Sequence, residues 1–314
     1  MTQGLSLSVL ARDSEELSRV YRNSDHKQNL MSLASDNQRL AYIASRLPAT
    51  YAANYQVLME AIKRCGSDSI TSLLDIGAGP GTVLLAAMET PLSLSSATLV
   101  ERDSGFISLG KRLLEGIVPF DVDWNCLDVT KLSNLESHDL VVASYSLNEL
   151  SEKARSEVLN VLWRVTKKIL IIIEPGTKAA FAILKQMRES LISSGAHLVA
   201  PCPHSECCPL KEKDWCHFAA RVERSSLHRK IKEATLNYED EKFSYLVFSR
   251  NKIEPAPSRI LRHPFKGKGF VKVQLCTKAG VEEKTMTKKN KHYYSYVKNK
   301  EWGDDLNFIG ESCN

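Results

Sequence analysis

The sequence predicts an α/β fold, a mostly parallel sheet flanked by helices, with a helical region before it and a small β-rich module after it. Three observations lead there. Short apolar runs, "SLLDIG", "ATLVE", "DLVVASYS", "ILIIIEP" and "KFSYLVFSR", recur between residues 69 and 250 with helix-like stretches between them, the alternation that builds parallel sheets. A glycine-rich loop, "LLDIGAGPGTVLLAAM", joins the first run to a helical segment. After Arg250 the chain becomes rich in Pro, Gly and Lys, as in "NKIEPAPSRILRHPFKGKGFVKVQLC", the punctuation of short strands and turns.

Taken in order, residues 1–68 form a helical N-terminal region. In "LAYIASRLPATYAANYQVLMEAI", Leu40, Ile43, Ala44 and Leu47 share one helical face before Pro48, and a second apolar stripe follows Tyr51. Residues 69–250 carry the sheet, with a Cys-rich insertion at 200–218 ahead of the last run. Residues 251–314 form the C-terminal module. A chain of 314 residues accommodates one catalytic-sized domain and an appendage. With 43% apolar and 25% charged residues, wholesale disorder and fibrous classes are excluded. The apolar run before Glu174 ends after five residues, far short of the roughly 20 a membrane helix requires, so no membrane partner is expected. The first twenty residues lack an apolar signal core, and Asp13, Glu15 and Glu16 are foreign to acid-poor transit peptides. A cytoplasmic protein is the expectation.

Charge is unevenly spread. The chain holds 42 Lys and Arg against 37 Asp and Glu, net +5, and residues 250–300 hold 14 against 3, leaving 28 against 34 elsewhere. The basic C-terminal module therefore suits a polyanion, most simply nucleic acid. "RVERSSLHRKIK" adds Arg221, Arg224, Arg229 and Lys230 at spacings that would form one basic helical face.

The glycine loop places Asp75, Gly77, Gly79 and Gly81 between a strand and a helix, where the chain must turn tightly and let a ligand approach the backbone at a helix N-terminus. The G-x-G-x-G spacing with an acid before it differs from the dinucleotide G-x-G-x-x-G. It resembles the first motif of class I methyltransferases, Rossmann-like enzymes that bind S-adenosylmethionine (SAM). Glu101, ending "ATLVE", is placed to bond two ribose hydroxyls, and by the same resemblance Asp128 in "NCLDVT" would lie near the adenine. Methyl transfer is a direct displacement, needing alignment and at most a proton acceptor. Asn148 and Glu149 in "SLNEL", and Glu174 in "EPG", are the candidate substrate-side groups. Asn148 could equally be a helix cap and Glu149 a first-turn acid.

Four of eight cysteines fall in the insertion: Cys202, Cys207, Cys208 and Cys216. Clustered thiols in such a chain point to a metal, and thiolates select zinc or an iron-sulfur cluster. Adjacent Cys207 and Cys208 cannot easily enter one small site, so one is a spare. Cys276, on a strand-like run of the basic module, is the natural fourth ligand. His204 and His217 would suit a mixed zinc site, which keeps zinc as the alternative. Cys65 and Cys126 read as scaffold, and Cys313 lies at the terminus.

The segments "LLDIGAGPGT", "SYSLNEL", "IIEPGT", "APCPHSECCPL", "WCHFAARVERSSLHRKIK", "YEDEKFSYLVFSR" and the late "WGD" together resemble the mitochondrial small-ribosomal-subunit methyltransferase-like family (methyltransferase-like protein seventeen and yeast Rsm-twenty-two) and its bacterial relatives. The resemblance implies a [4Fe-4S] cluster on Cys202, Cys208, Cys216 and Cys276, with Cys207 spare. It also implies a role in ribosome assembly and translation, with small-subunit ribosomal RNA or a pre-ribosomal particle as partner; off the ribosome a monomer is the expectation. Within the family the SAM-like pocket leaves two readings open, a methyltransferase or a non-catalytic assembly factor.

Overall fold

The computed structural model describes residues 7–22, 35–132, 135–211, 213–232 and 234–307. Three helices come first, α1 (Leu7–Arg22), α2 (Asp36–Ser45) and α3 (Leu47–Cys65). The Ser35 hydroxyl accepts the Gln38 N–H and caps α2, while Pro48 occupies the first turn of α3, where a missing N–H leaves no bond unmade.

The main sheet begins with β1 (Ser72–Ile76), β2 (Ser96–Glu101), β3 (Val122–Cys126), β4 (His138–Ser144) and β5 (Thr166–Pro175), all parallel. Helices α4 (Thr82–Met88), α5 (Ser104–Leu114) and α6 (Glu152–Val165) fall between these strands, and α7 (Lys178–Ser193) follows β5. Then come β6 (His197–Ala200), β7 (Phe218–Glu223) and β8 (Tyr238–Ser249). β8 lies antiparallel beside β5; its second half pairs with β6 and its first half with β7. The strand order is β3-β2-β1-β4-β5-β8-β6.

Alternate residues of one strand serve opposite faces. On β5, Ile169, Ile171 and Ile173 enter the core that contains Ala53, Val57 and Leu58 of α3, whereas Leu170 and Ile172 enter the core under α6 and α7. A strand covered on both sides reads as an unbroken apolar run, which is why "ILIIIEP" was legible. This sheet is the Rossmann-like class I methyltransferase fold. Its strand order reverses between β1 and β4, which opens a crevice at their carboxyl ends.

β3 is an edge strand whose sequence, "VDWNC", is only half-buried, so it carried no apolar signal. The expected basic helical face is corrected. Arg221 lies on β7 and forks onto Asp240, while Arg224 pairs with Glu239. Only Arg229 and Lys230 stand on a helix, the short α8 (Ser226–Ile231). The physical reason is β8, whose first half runs on past β5 with acids at Glu239 and Asp240 and pairs with this segment as a strand.

The C-terminal module is an antiparallel five-stranded sheet of β9 (Ser258–Ile260), β10 (Phe265–Gly267), β11 (Phe270–Thr277), β12 (Gly280–Thr287) and β13 (Asp305–Leu306). With helix α9 (Lys291–Val297) it encloses a separate small core of Ile260, Val271, Val273, Leu275, Met286, Val297 and Leu306.

Candidate functional site

At the crevice, β1 delivers Asp75, fully buried, with neither carboxylate oxygen hydrogen-bonded among the described residues. Burial, then the nearby charge of Glu101, holds its carboxyl well above the usual range. Gly77 turns at φ 72°, and a Cβ there would come within 2.6 Å of the Ser146 Cβ. Gly79, at φ 54°, faces open space. Gly81 caps α4 in the left-handed region. The carboxylate of Glu101 is clamped to this loop: Oε2 accepts the Gly79 N–H and Oε1 the Asp103 N–H, each at 2.8 Å. Burial pushes the Glu101 pKa up while these two bonds pull it down. Asp103 also accepts the Arg39 guanidinium at 2.8 and 3.0 Å, which brings α2 over the loop. Asp128 stands partly exposed after β3 and accepts the Thr130 hydroxyl and N–H, and the hydroxyl bond is the main reason its pKa is lowered. The six residues expected to serve a cofactor thus line the carboxyl ends of three adjacent strands.

The loop after β4 forms the facing wall. Tyr145 is held at φ 56°, a strained position for a residue with a side chain. Its hydroxyl donates to Glu241 at 3.2 Å, and Arg46 forks onto the same carboxylate at 3.1 Å twice. Ser146 donates to the Ile76 carbonyl at 3.1 Å. Glu174, fully buried at the end of β5, accepts the N–H groups of Leu147 and Asn148 at 3.0 and 3.1 Å and the Asn148 side-chain amide. Burial pushes Glu174 up to about 8 against these bonds, and the half-buried Glu149 adds to the rise. Two of the three candidate catalytic side chains therefore bond each other. Tyr145, Arg46 and Glu241 escaped the sequence reading, because Arg46 and Glu241 lie 195 residues apart and nothing local to either marks the pair.

A second cavity lies where the two sheets meet. Cys202, Cys208, Cys216 and Cys276 line it together with Arg188 and Arg259, around about 590 Å³ of space including its open mouth. Cys207 is exposed and outside it. Burial raises the Cys202 and Cys216 thiols, and Cys276 is pushed up to about 12 by burial and by Cys202 and Cys208. The two arginines are 3% and 2% exposed, and Arg188 Nε has no hydrogen-bond partner among the described residues. Both nitrogens of His204, also on the wall, are buried, with no side-chain hydrogen-bond partner among the described residues. His217 instead stacks on Trp215 and meets the edge of Trp302. Among the described residues no three His, Cys, Asp or Glu side chains are gathered to hold one metal ion, although the four thiols line one cavity. Cys313 lies outside the described residues.

Comparison with known proteins places these features in a family. The chain is 29% identical over 296 residues to the human mitochondrial ribosome assembly protein METTL17, covering 87% of this chain and 63% of that protein. It is 25% identical over 355 aligned positions to the mitochondrial Rsm22-cox11 tandem protein 2 of Schizosaccharomyces pombe, covering 95% and 47%. The chain thus spans about half to two thirds of the length of these relatives. Among solved structures, N-methyltransferase NodS of Bradyrhizobium japonicum aligns with a TM-score of 0.45 at 12% identity, over 76% of this chain and 97% of that one. The cytoplasmic expectation is overturned: these relatives are named as mitochondrial proteins, and three local acids near the start of a chain do not determine its compartment. Residues 36–307 match the model of the family described as mitochondrial small ribosomal subunit Rsm22, and the chain belongs to that family.

Proposed function

We propose that this chain is a SAM-binding, methyltransferase-like ribosome assembly factor that acts on small-subunit ribosomal RNA and carries a structural [4Fe-4S] cluster. The observation that carries the reading is the cavity in which Cys202, Cys208, Cys216 and Cys276 meet between the methyltransferase-like sheet and the basic module. A four-iron cube takes one thiolate at each iron, so it calls for four cysteines on the walls of one cavity rather than three or four around a single ion. Arg188 and Arg259 would offset its negative charge. Structural metal sites contribute on the order of 10 kcal/mol, enough to fasten a module whose own core is seven buried side chains.

SAM supplies a methyl group on a sulfonium, and the chain's task is to bind and align it. Gly77, Gly79 and Gly81 would let the ligand approach the backbone, Glu101 would receive the ribose hydroxyls, and Asp128 would flank the adenine. The orphaned carboxylate of Asp75 has acceptor capacity left for such a ligand.

A non-catalytic assembly factor is the second reading, favoured by the burial of Asn148 and Glu174 against each other. In that case their work is to hold the loop. Protein purified without oxygen is expected to carry about four irons and four sulfides, lost in Cys276→Ser while calorimetric SAM binding persists. Stoichiometric zinc without sulfide would refute the cluster. Glu101→Ala is expected to weaken SAM binding, and an unchanged affinity would refute that assignment. If replacing Glu149 leaves complementation of a deletion strain intact while Cys276→Ser abolishes it, the non-catalytic reading stands.

A further inference from the structure

Phe265, 63% exposed, is the most exposed large apolar side chain among the described residues. It does not stand alone. On the outer face of the C-terminal sheet it is opposite Lys272 and packs on Phe270, ring centroids 5.9 Å apart at 39°. Phe270 lies across Gly267, where a Cβ would fall 2.4 Å from the ring, so the glycine is what permits the aromatic pair. The turn that carries Gly267 and Phe270 is bonded to the turn after β12, with the Lys288 N–H donating to the Gly269 carbonyl at 2.9 Å. These two turns bring Lys268, Lys288, Lys289 and Lys291 to one end of the sheet, all exposed. Among the described residues none of the four is ion-paired with a carboxylate, whereas Lys266 and Lys272 beside the rings are paired with Glu301 and Glu283.

An exposed Phe265 ring stacked beside the half-buried Phe270 leaves apolar surface in water on a sheet face and calls for a ligand with flat apolar surface. Adjacent uncompensated lysines call for that ligand to be a polyanion. Single-stranded nucleic acid has both properties: unstacked bases lie on aromatic rings while the backbone runs over cations. Duplex RNA presents phosphates but no free base faces. We propose that Phe265 and Phe270, with Lys268, Lys288, Lys289 and Lys291, form a stacking platform for a single-stranded segment of RNA. This deepens the ribosomal RNA reading above and rests on it.

The full chain would be titrated with a labelled single-stranded RNA of about twelve nucleotides, within the span of sheet-based binders, and with a duplex of the same sequence. Phe265→Ala is expected to weaken single-strand binding roughly tenfold, the worth of one stacked base, without changing its salt dependence, while Phe265→Trp keeps the affinity. The double variant Lys288→Ala, Lys289→Ala is expected to lower the slope of log affinity against log salt by about 1.4. Thermal melts of the variants, all at exposed positions, confirm that each is folded. Wild-type affinity in Phe265→Ala, or a preference for duplex, overturns the platform and leaves the RNA reading in place. No binding of either RNA by the wild-type chain overturns both.

Discussion

Gly77 and Glu174 show how much chemistry single positions carry. At φ 72° with Ser146 2.6 Å from where a Cβ would sit, Gly77→Ala combines a backbone cost of about 1 kcal/mol with displacement of the loop that faces the ligand. SAM affinity is expected to fall at least tenfold, measured by calorimetry; an unchanged affinity would show that the loop is not the ligand's wall. Glu174 has a folded pKa of about 8 against an ordinary 4.5. The folded state therefore binds the proton more tightly than the unfolded chain, so stability falls as pH rises from about 4.5 to about 8, and no penalty exists below that window. Glu174→Gln removes this penalty. Relative to wild type the variant is expected to gain at least about 1 kcal/mol between pH 5 and pH 9 in urea unfolding, since each pKa unit is worth about 1.4 kcal/mol. Identical pH profiles would place the proton elsewhere. The three glycines, Asp75 and Glu101 were legible because their spacing is local. The pairing of Asn148 with Glu174 was not, because it joins the loop after β4 to the end of β5 across 26 residues.

Among the elements, legibility followed burial. β1, β4 and β5 are covered on both faces and announce themselves as apolar runs, while β3, β6 and β7 are short or half-exposed and do not. The segment around Arg221 illustrates the competition. Its basic residues fit a helix by spacing, yet the free half of β8 offers a ladder of backbone bonds and two carboxylates. Because the Arg221–Asp240 pair is solvent-exposed, it is worth little. Arg221→Ala is expected to change stability by less than about 0.5 kcal/mol and to leave RNA affinity within twofold. A marked loss of RNA affinity would return this strand to the nucleic-acid surface.

Across the whole molecule, one buried side chain ties three regions together. Arg259 of β9 bonds Glu60 of α3 at 2.6 Å, the Pro201 carbonyl at 3.0 Å and the Gly303 carbonyl at 2.8 Å. Asp305 adds ion pairs to Lys63 and Arg64 of α3. Removing one member of a buried charged pair costs about 3–5 kcal/mol. Arg259→Met is expected to lower the urea midpoint accordingly and to open the linker at residues 250–257 to protease. Full resistance to cleavage would mean that the module is held by other contacts. The Rossmann-like sheet, the glycine loop with its acids, and a pool of thiols near a basic module can all be read from the chain before it folds. Each of these is written in patterns a few residues long, where strand burial and turn geometry leave direct marks. Folding alone brings Cys202, Cys208, Cys216 and Cys276 to one cavity, sets Arg188 and Arg259 beside it, and puts Phe265 against Phe270 next to lysines without ion pairs among the described residues. Those meetings depend on how the two sheets dock and on the register of their strands. Glu60 and Arg259 touch across 199 residues, and no local periodicity encodes such a contact.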